Sequence, residues 1–393
     1  MPNAKLLHRL SLLPALLLAA SDVDRSVHAT LAQERAVFAI QADDASARVN
    51  RRWTLRRTDN NGLGLILSVV RCDDTLFLAD SEYRVYSFDL RRATPVRELV
   101  SDPARLGLPR ALAADCARHR LYVIAVGPKL LVTIDARSGT IEHAQSFPAN
   151  QIVAERAIVS GPGVVYVGGV FNPTPDINPY RTRDADNFFE TQRLGIRFSL
   201  ATGAVEPLFQ PYEKRCSGAG ECVSSALDRL SARSGAQWIA AQAVSTRFGL
   251  YGASGELRST HNTMSPRFVR DGTELPLRAS AAIRMEWLSR NSTIRSVFGV
   301  GGLIAVVHTV TEGSLDGRPE HMPIAARPLM NIHDLNGQPL VSDIRLLNLP
   351  VGRDDANLYV VGRAEDRRGP GTATQELLQI PVKRGRHSIG DKG

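Results

Sequence analysis

The chain has 393 residues, 43% of them hydrophobic, which is enough to bury one large core or two ordinary ones. Its formal charge is +8, but only five of the 48 basic residues are lysines, and the arginines are scattered, as in Arg51-Arg52, Arg56-Arg57 and Arg91-Arg92. Without clustering or interleaved aromatics, this excludes a nucleic-acid-binding surface and reads as a solvated, arginine-rich exterior with weak attraction for anionic envelope polymers.

Residues 1–29 read as a signal peptide: Lys5, His8 and Arg9 form a basic region, followed by an apolar stretch from Leu10 to Ala20 that is too short to span a bilayer. Cleavage sites are offered by Ala19 with Ser21, and by Val27 with Ala29. The run Leu18-Ala19-Ala20-Ser21 has the form of a bacterial lipoprotein signal with Ser21 where the lipidated cysteine belongs, so no lipid anchor is expected. No later apolar run is long enough for a transmembrane helix, and the expected location is periplasmic or secreted.

From residue 30 to residue 383 one unit recurs six times, and the pattern is all-β. The copies pair Leu76–Asp80 with Arg84–Asp89, Leu121–Ile124 with Leu131–Asp135, and Val164–Val167 with Gly195–Leu200. They continue with Trp238–Ala240 and Phe248–Tyr251, Leu303–Val307 and Leu329–Ile332, then Leu358–Val361 and Glu376–Ile380. Four copies end in a turn closed by glycine: Asp135–Gly139, Leu200–Gly203, Gly252–Gly255 and Asp334–Gly337. Glycine there supplies the positive φ of a tight hairpin, and a further strand follows, such as Ile141–Phe147 or Val205–Phe209. Short antiparallel strands in sets of four predict a six-bladed β-propeller. After Ile380 no outer strand follows, only Pro381-Val382-Lys383 and a flexible basic tail over 384–393. Ala36–Ile40 and Trp53–Leu55 stand before the first copy with no blade of their own, so an N-terminal strand is expected to complete the last blade and close the ring.

The run Leu76-Phe77-Leu78-Ala79-Asp80-Ser81-Glu82-Tyr83-Arg84-Val85-Tyr86-Ser87-Phe88-Asp89 resembles the NHL-type propeller repeat. That repeat has an apolar strand, Ala-Asp, a polar turn with Arg, a second strand and Asp. The chain as a whole is similar to the six-bladed, TolB-like superfamily of secreted and periplasmic propellers. The likeness is close in the first copy; the other five share spacing only. It implies a fold far more than a function.

In such a blade, turns between the first and second strands, and between the third and fourth, lie on one rim. The long segments 171–193, 210–224, 262–292, 309–327 and 363–374 all belong to the other class of connection and map to the opposite rim. The expected function is therefore a binding module that recognises a protein or envelope ligand through that rim. Candidate contact residues are Tyr180, Arg181, Arg183, Asp184, Asp186, Phe188, Phe189, His308 and His321; the aromatic ones form a lip for a ligand or merely anchor their loop. The alternative is a metal-assisted, lactonase-like hydrolase or lyase at the channel mouth. No metal or other cofactor is expected: Glu312, Asp316 and His321, with Glu320 nearby, are weak candidates for holding a divalent cation, and carboxylates on such a loop are usually only solvated. There is no Gly-x-Ser-x-Gly elbow, His-Glu-x-x-His or glycine-rich phosphate loop. Cys216 and Cys222 flank a flexible Ser-Gly-Ala-Gly-Glu segment and read as a disulfide staple. Cys72 and Cys116 occupy equivalent first turns of neighbouring blades, where they pair or remain buried thiols.

Overall fold

A computed structural model describes residues 49–57, 63–93, 95–125, 129–146, 157–171, 192–212, 225–230, 237–243, 245–263, 265, 267–268, 281–311, 326–362 and 375–382. The expected signal peptide, the tail and the Cys216–Cys222 staple lie outside the described residues.

The strands in chain order are β1 (Arg51–Leu55), β2 (Ile66–Cys72), β3 (Thr75–Asp80), β4 (Arg84–Asp89) and β5 (Arg97–Ser101). A single-turn helix α1 (Pro103–Leu106) leads to β6 (Pro109–Asp115), β7 (Arg120–Ala125), β8 (Leu130–Asp135) and β9 (Ile141–Ser146). Next come β10 (Ala157–Gly161), β11 (Val164–Phe171), β12 (Arg193–Ser199) and β13 (Val205–Leu208). They are followed by β14 (Ser225–Arg229), β15 (Trp238–Gln242), β16 (Arg247–Tyr251) and β17 (Leu257–Asn262). After helix α2 (Ala281–Arg290) come β18 (Thr293–Val300), β19 (Leu303–Thr311), β20 (Ala326–His333) and β21 (Pro339–Arg345). The chain finishes with β22 (Pro350–Arg353), β23 (Asn357–Val361) and β24 (Gln375–Pro381).

Six separate four-stranded sheets were expected, and the described strands do not form six separate ones. Among the described residues there are four of them, β6–β9, β10–β13, β14–β17 and β18–β21, and one eight-stranded sheet in the order β1-β24-β23-β22-β2-β3-β4-β5. The merger has a local cause. β2 and β22 run parallel and pair at Val69–Gly352 and Val70–Arg353. A Cβ at position 352 would stand 1.9 Å from the Val69 carbonyl oxygen, so only glycine lets the two backbones meet. β1 pairs antiparallel with β24, from Arg51–Gln379 to Leu55–Gln375.

Middle strands read as continuous apolar runs because both of their faces are covered; all five residues of β15 are buried. Outer strands such as β9, Ile-Glu-His-Ala-Gln-Ser, are mostly exposed. The cores are seams between neighbouring sheets. Ala111, Tyr122 and Leu131 pack on Val165, Ile196 and Phe198, and Leu194 and Phe209 pack on Trp238 and Tyr251. Phe248 and Leu250 pack on Val297, Ile304 and Val306, while Val307 and Ile332 pack on Leu358, Leu378 and Ile380. Each such side chain contributes about 1.5–3 kcal/mol on leaving water. The four glycine-closed turns form as the sequence dictates, with Gly139, Gly203, Gly255 and Gly337 at φ of 80°, 69°, 79° and 81°.

At the end carrying the first-to-second and third-to-fourth turns, polar cross-links stitch sheet to sheet. Arg353 on β22 donates to both carboxylate oxygens of Asp228 on β14, at 2.5 and 2.8 Å, and the Gly299 amide of β18 donates to the same carboxylate at 3.0 Å. Arg71 at the end of β2 donates to Asp354 after β22 at 2.9 Å. Cys72 and Cys116 are bonded across neighbouring sheets, with Cα atoms 5.4 Å apart. Asp354 also accepts from Tyr359 and from the Ala356 and Asn357 amides; burial alone would raise its pKa, but these bonds and Arg71 bring it below the usual carboxylate value.

Candidate functional site

Because consecutive strands within each sheet are antiparallel, alternate connections leave from opposite ends. One end carries tight turns, such as Asp73-Asp74, Pro162-Gly163 and Gly301-Gly302. The other carries every long connection expected to lie there: 172–192 between β11 and β12, 209–224 between β13 and β14, 263–292 between β17 and β18, 312–325 between β19 and β20, and 362–374 between β23 and β24. The segment 263–292 is not loop throughout, since Ala281–Arg290 forms α2.

Beneath these connections the strand ends bury an unusual set of polar side chains: Gln192, Gln242, Thr263, Asn291, Ser292, Thr293, His308, Thr309 and Gln375. Several have clear structural duties. Gln375 donates to the Gly64 and Leu63 carbonyls and accepts from the Ile66 amide. Asn291 donates to the Trp287 carbonyl and terminates α2. The Thr293 and Thr309 hydroxyls lie 3.2 Å apart across β18 and β19. The Gln192 amide group, fully buried one alternation step before Leu194, has no partner for either atom among the described residues.

His308 is the one candidate contact residue that falls among the described residues. It lies in the second half of β19, with no exposed surface. Its Nε2 is 3.1 Å from the Ser265 hydroxyl, which donates to Asp343 Oδ1 at 2.5 Å; the His308 Nε2 to Asp343 distance is 3.9 Å. The bonding fixes the tautomer. A hydroxyl has one proton, Ser265 gives it to Asp343, and His308 therefore donates Nε2–H to Ser265. Burial depresses the imidazole pKa to about 4, with Asp343 opposing, so the ring is neutral at pH 7. This is not the geometry of a serine activated by histidine: the Ser265 hydroxyl donates its hydrogen bond to the carboxylate rather than to the imidazole, and Nδ1 has no partner among the described residues. The three side chains instead fasten the segment around Ser265 onto β19 and β21. Asn331 reinforces the joint, donating to the Thr263 carbonyl at 2.7 Å and accepting from the Asp343 amide at 2.8 Å.

Tyr180, Arg181, Arg183, Asp184, Asp186, Phe188, Phe189, Glu312, Asp316, Glu320 and His321 lie outside the described residues. No group of three or more His, Cys, Asp or Glu side chains among the described residues is placed to hold a metal ion. Sequence reasoning missed Ser265 and Asp343. Nothing in the chain around either signals a partner, because the two are 78 residues apart.

No family model matches the chain, and no curated protein matches it. Among solved structures it is similar to a member of the DUF4221 family from Bacteroides vulgatus, at 8% identity with a TM-score of 0.58, over 88% of this chain and 100% of that one. It is also similar to a presumed exported protein of Bacteroides fragilis, at 10% identity with a TM-score of 0.53, over 88% of this chain and 99% of that one. No helix among the described residues is long and apolar enough to cross a membrane. At these identities the likeness carries the fold alone, and with the radial packing of the sheets it supports a β-propeller.

Proposed function

We propose that the chain is an exported, TolB-like propeller of six blades, closed by β1, which binds a protein or envelope ligand across the end bearing the long connections. Six blades result if the eight-stranded sheet is divided at its two-pair parallel join, giving β2–β5 and β22–β24 with β1. In support, the first strands touch in a cycle: β2 with β6, β6 with β10, β10 with β14, β14 with β18, β18 with β22, and β22 with β2. Export is favoured by the basic and apolar pattern of the first 29 residues and agrees with the description of the Bacteroides fragilis protein.

The observation that carries the binding reading is the confinement of five long connections to one end, while the opposite end has tight turns and cross-links. Loops held by a rigid scaffold are where recognition concentrates. The experiment replaces residues 173–190 by a short Gly-Asn turn, with a control replacement in the Asp334–Gly337 turn at the other end. A component is recovered from a detergent-solubilised envelope fraction on the immobilised native protein, and its affinity is then measured on all three purified proteins. The reading expects unchanged melting and at least tenfold weaker binding for the first replacement only. Equal binding by all three would overturn it.

A further inference from the structure

The seam between the β14–β17 and β18–β21 sheets is unusually rich in histidine. Ile304 and Val306 lie in its apolar core, so strand alternation turns His308 to the same side of β19. Met330 and Ile332 of β20 face the opposite seam, which turns Asn331 and His333 towards β17. His261 of β17 completes the set. Aromatic rings separate the three: Phe248 stacks on His261 at 5.7 Å and meets His333 edge-on at 4.9 Å, and Phe268 lies 5.4 Å from His308.

A second proton on His308 or His333 would stand in a buried place. His308 uses Nε2 on Ser265, and its Nδ1 is buried with no partner among the described residues. His333 uses Nδ1 on the Gly337 carbonyl at 3.2 Å; its Nε2 is buried with no hydrogen bond among the described residues, and the Thr263 backbone opposes the fall in its pKa without cancelling it. His261 has Ser259 at 2.8 Å from Nε2. The charged groups facing them are few. Asp343 lies 3.9 Å from His308 but is engaged by Ser265, and Asp334, near His261 and His333, is engaged by the Asn336 and Gln338 amides.

We propose that this seam is an acid-operated latch: mild acidification charges His308 and His333, parts the two sheets and releases the Ser265–Phe268 segment, reshaping the long-connection end. The sign follows from linkage. Burial lowers both pKa values to about 4, whereas the open seam titrates near the free value of 6.5. Closure is fully favoured above that value and is lost progressively as pH falls towards 4. Each histidine multiplies the opening constant by about ten per pH unit inside that window and adds nothing below it. His261, whose pKa is lowered less, adds a smaller increment in the same direction.

The experiment is hydrogen exchange of the full chain between pH 7 and pH 4.5, corrected for intrinsic exchange. Peptides from 247–263 and 293–311 are expected to lose protection with a slope of about two decades per pH unit, while peptides from β6–β9 keep theirs. His308→Gln and His333→Gln should each reduce the slope to about one decade, and the double variant should leave only the smaller increment of His261. A flat native profile, or a loss shared equally by β6–β9, would overturn the latch. The native slope decides this even where a variant fails to fold, and neither result depends on the ligand.

Discussion

Arg353 reaches past the first strand of the β18–β21 sheet to grip Asp228, so that two sheets flanking a third are tied directly to each other. Asp228 is nearly buried and also takes the Gly299 amide. Asp228→Ala therefore strands a guanidinium and a backbone donor together, and is expected to cost about 2–4 kcal/mol in urea unfolding. Arg353→Met in the Asp228→Ala background should cost little more, giving a coupling of at least about 1 kcal/mol in the double-mutant cycle. Strict additivity would mean the pair holds nothing.

A second expectation concerns Asp80, the aspartate of the Ala-Asp pair in the first repeat. It is wholly buried and accepts from the Gly64, Glu82 and Arg84 amides and the Tyr86 hydroxyl. Asp80→Ala orphans four donors at once and should destabilise by about 3–5 kcal/mol, whereas Asp80→Asn retains part of the network and should lose about half as much. Chemical denaturation of the three proteins measures the difference.

Reduction offers a third test. The Cys72–Cys116 bond closes a loop with a sequence separation of 44. Opening it frees the denatured chain and should cost about 2–4 kcal/mol, read as a lower melting temperature in dithiothreitol. Cys72→Ser/Cys116→Ser should melt lower without any reductant, and whatever dithiothreitol then adds reports the expected Cys216–Cys222 staple.

Alkaline titration gives a fourth. Burial pushes the Tyr86 phenol up to about 12, and raises those of Tyr251 and Tyr359 as well. The folded state thus excludes the phenolate: stability is complete below the ordinary phenol value of about 10 and declines as pH rises beyond it. Absorbance at about 295 nm should show exposed tyrosines ionising first and these three only with unfolding. A single smooth titration near the ordinary value would contradict the burial.

The sequence made the second and third strands of each unit legible, and the reason is packing. β7 and β8 are covered on both faces, so Leu121–Ile124 and Leu131–Asp135 stand out as apolar runs ending at a glycine turn. The first strands were harder to see. β22 is Pro-Val-Gly-Arg, with no apolar run, and is a strand because β2 and β23 hold it there. The same proximity fuses what the repeats imply are separate sheets. The partnership of Cys72 with Cys116 was visible only as one of two alternatives, because it depends on how closely neighbouring sheets approach. Ser265, His308 and Asp343 meet only through tertiary placement, and the histidine alone drew attention by residue type.

The pairing of β1 with β24 sets an order on biogenesis. Arg52 and Glu376 are neighbours in the finished sheet yet 324 residues apart, so the first of the described strands must wait for the last. Until then its edge stays unclaimed, and nearly the whole polypeptide must be delivered before this final join can be made. A carrier that holds the nascent chain extended until synthesis is complete would suit such an architecture better than folding piece by piece.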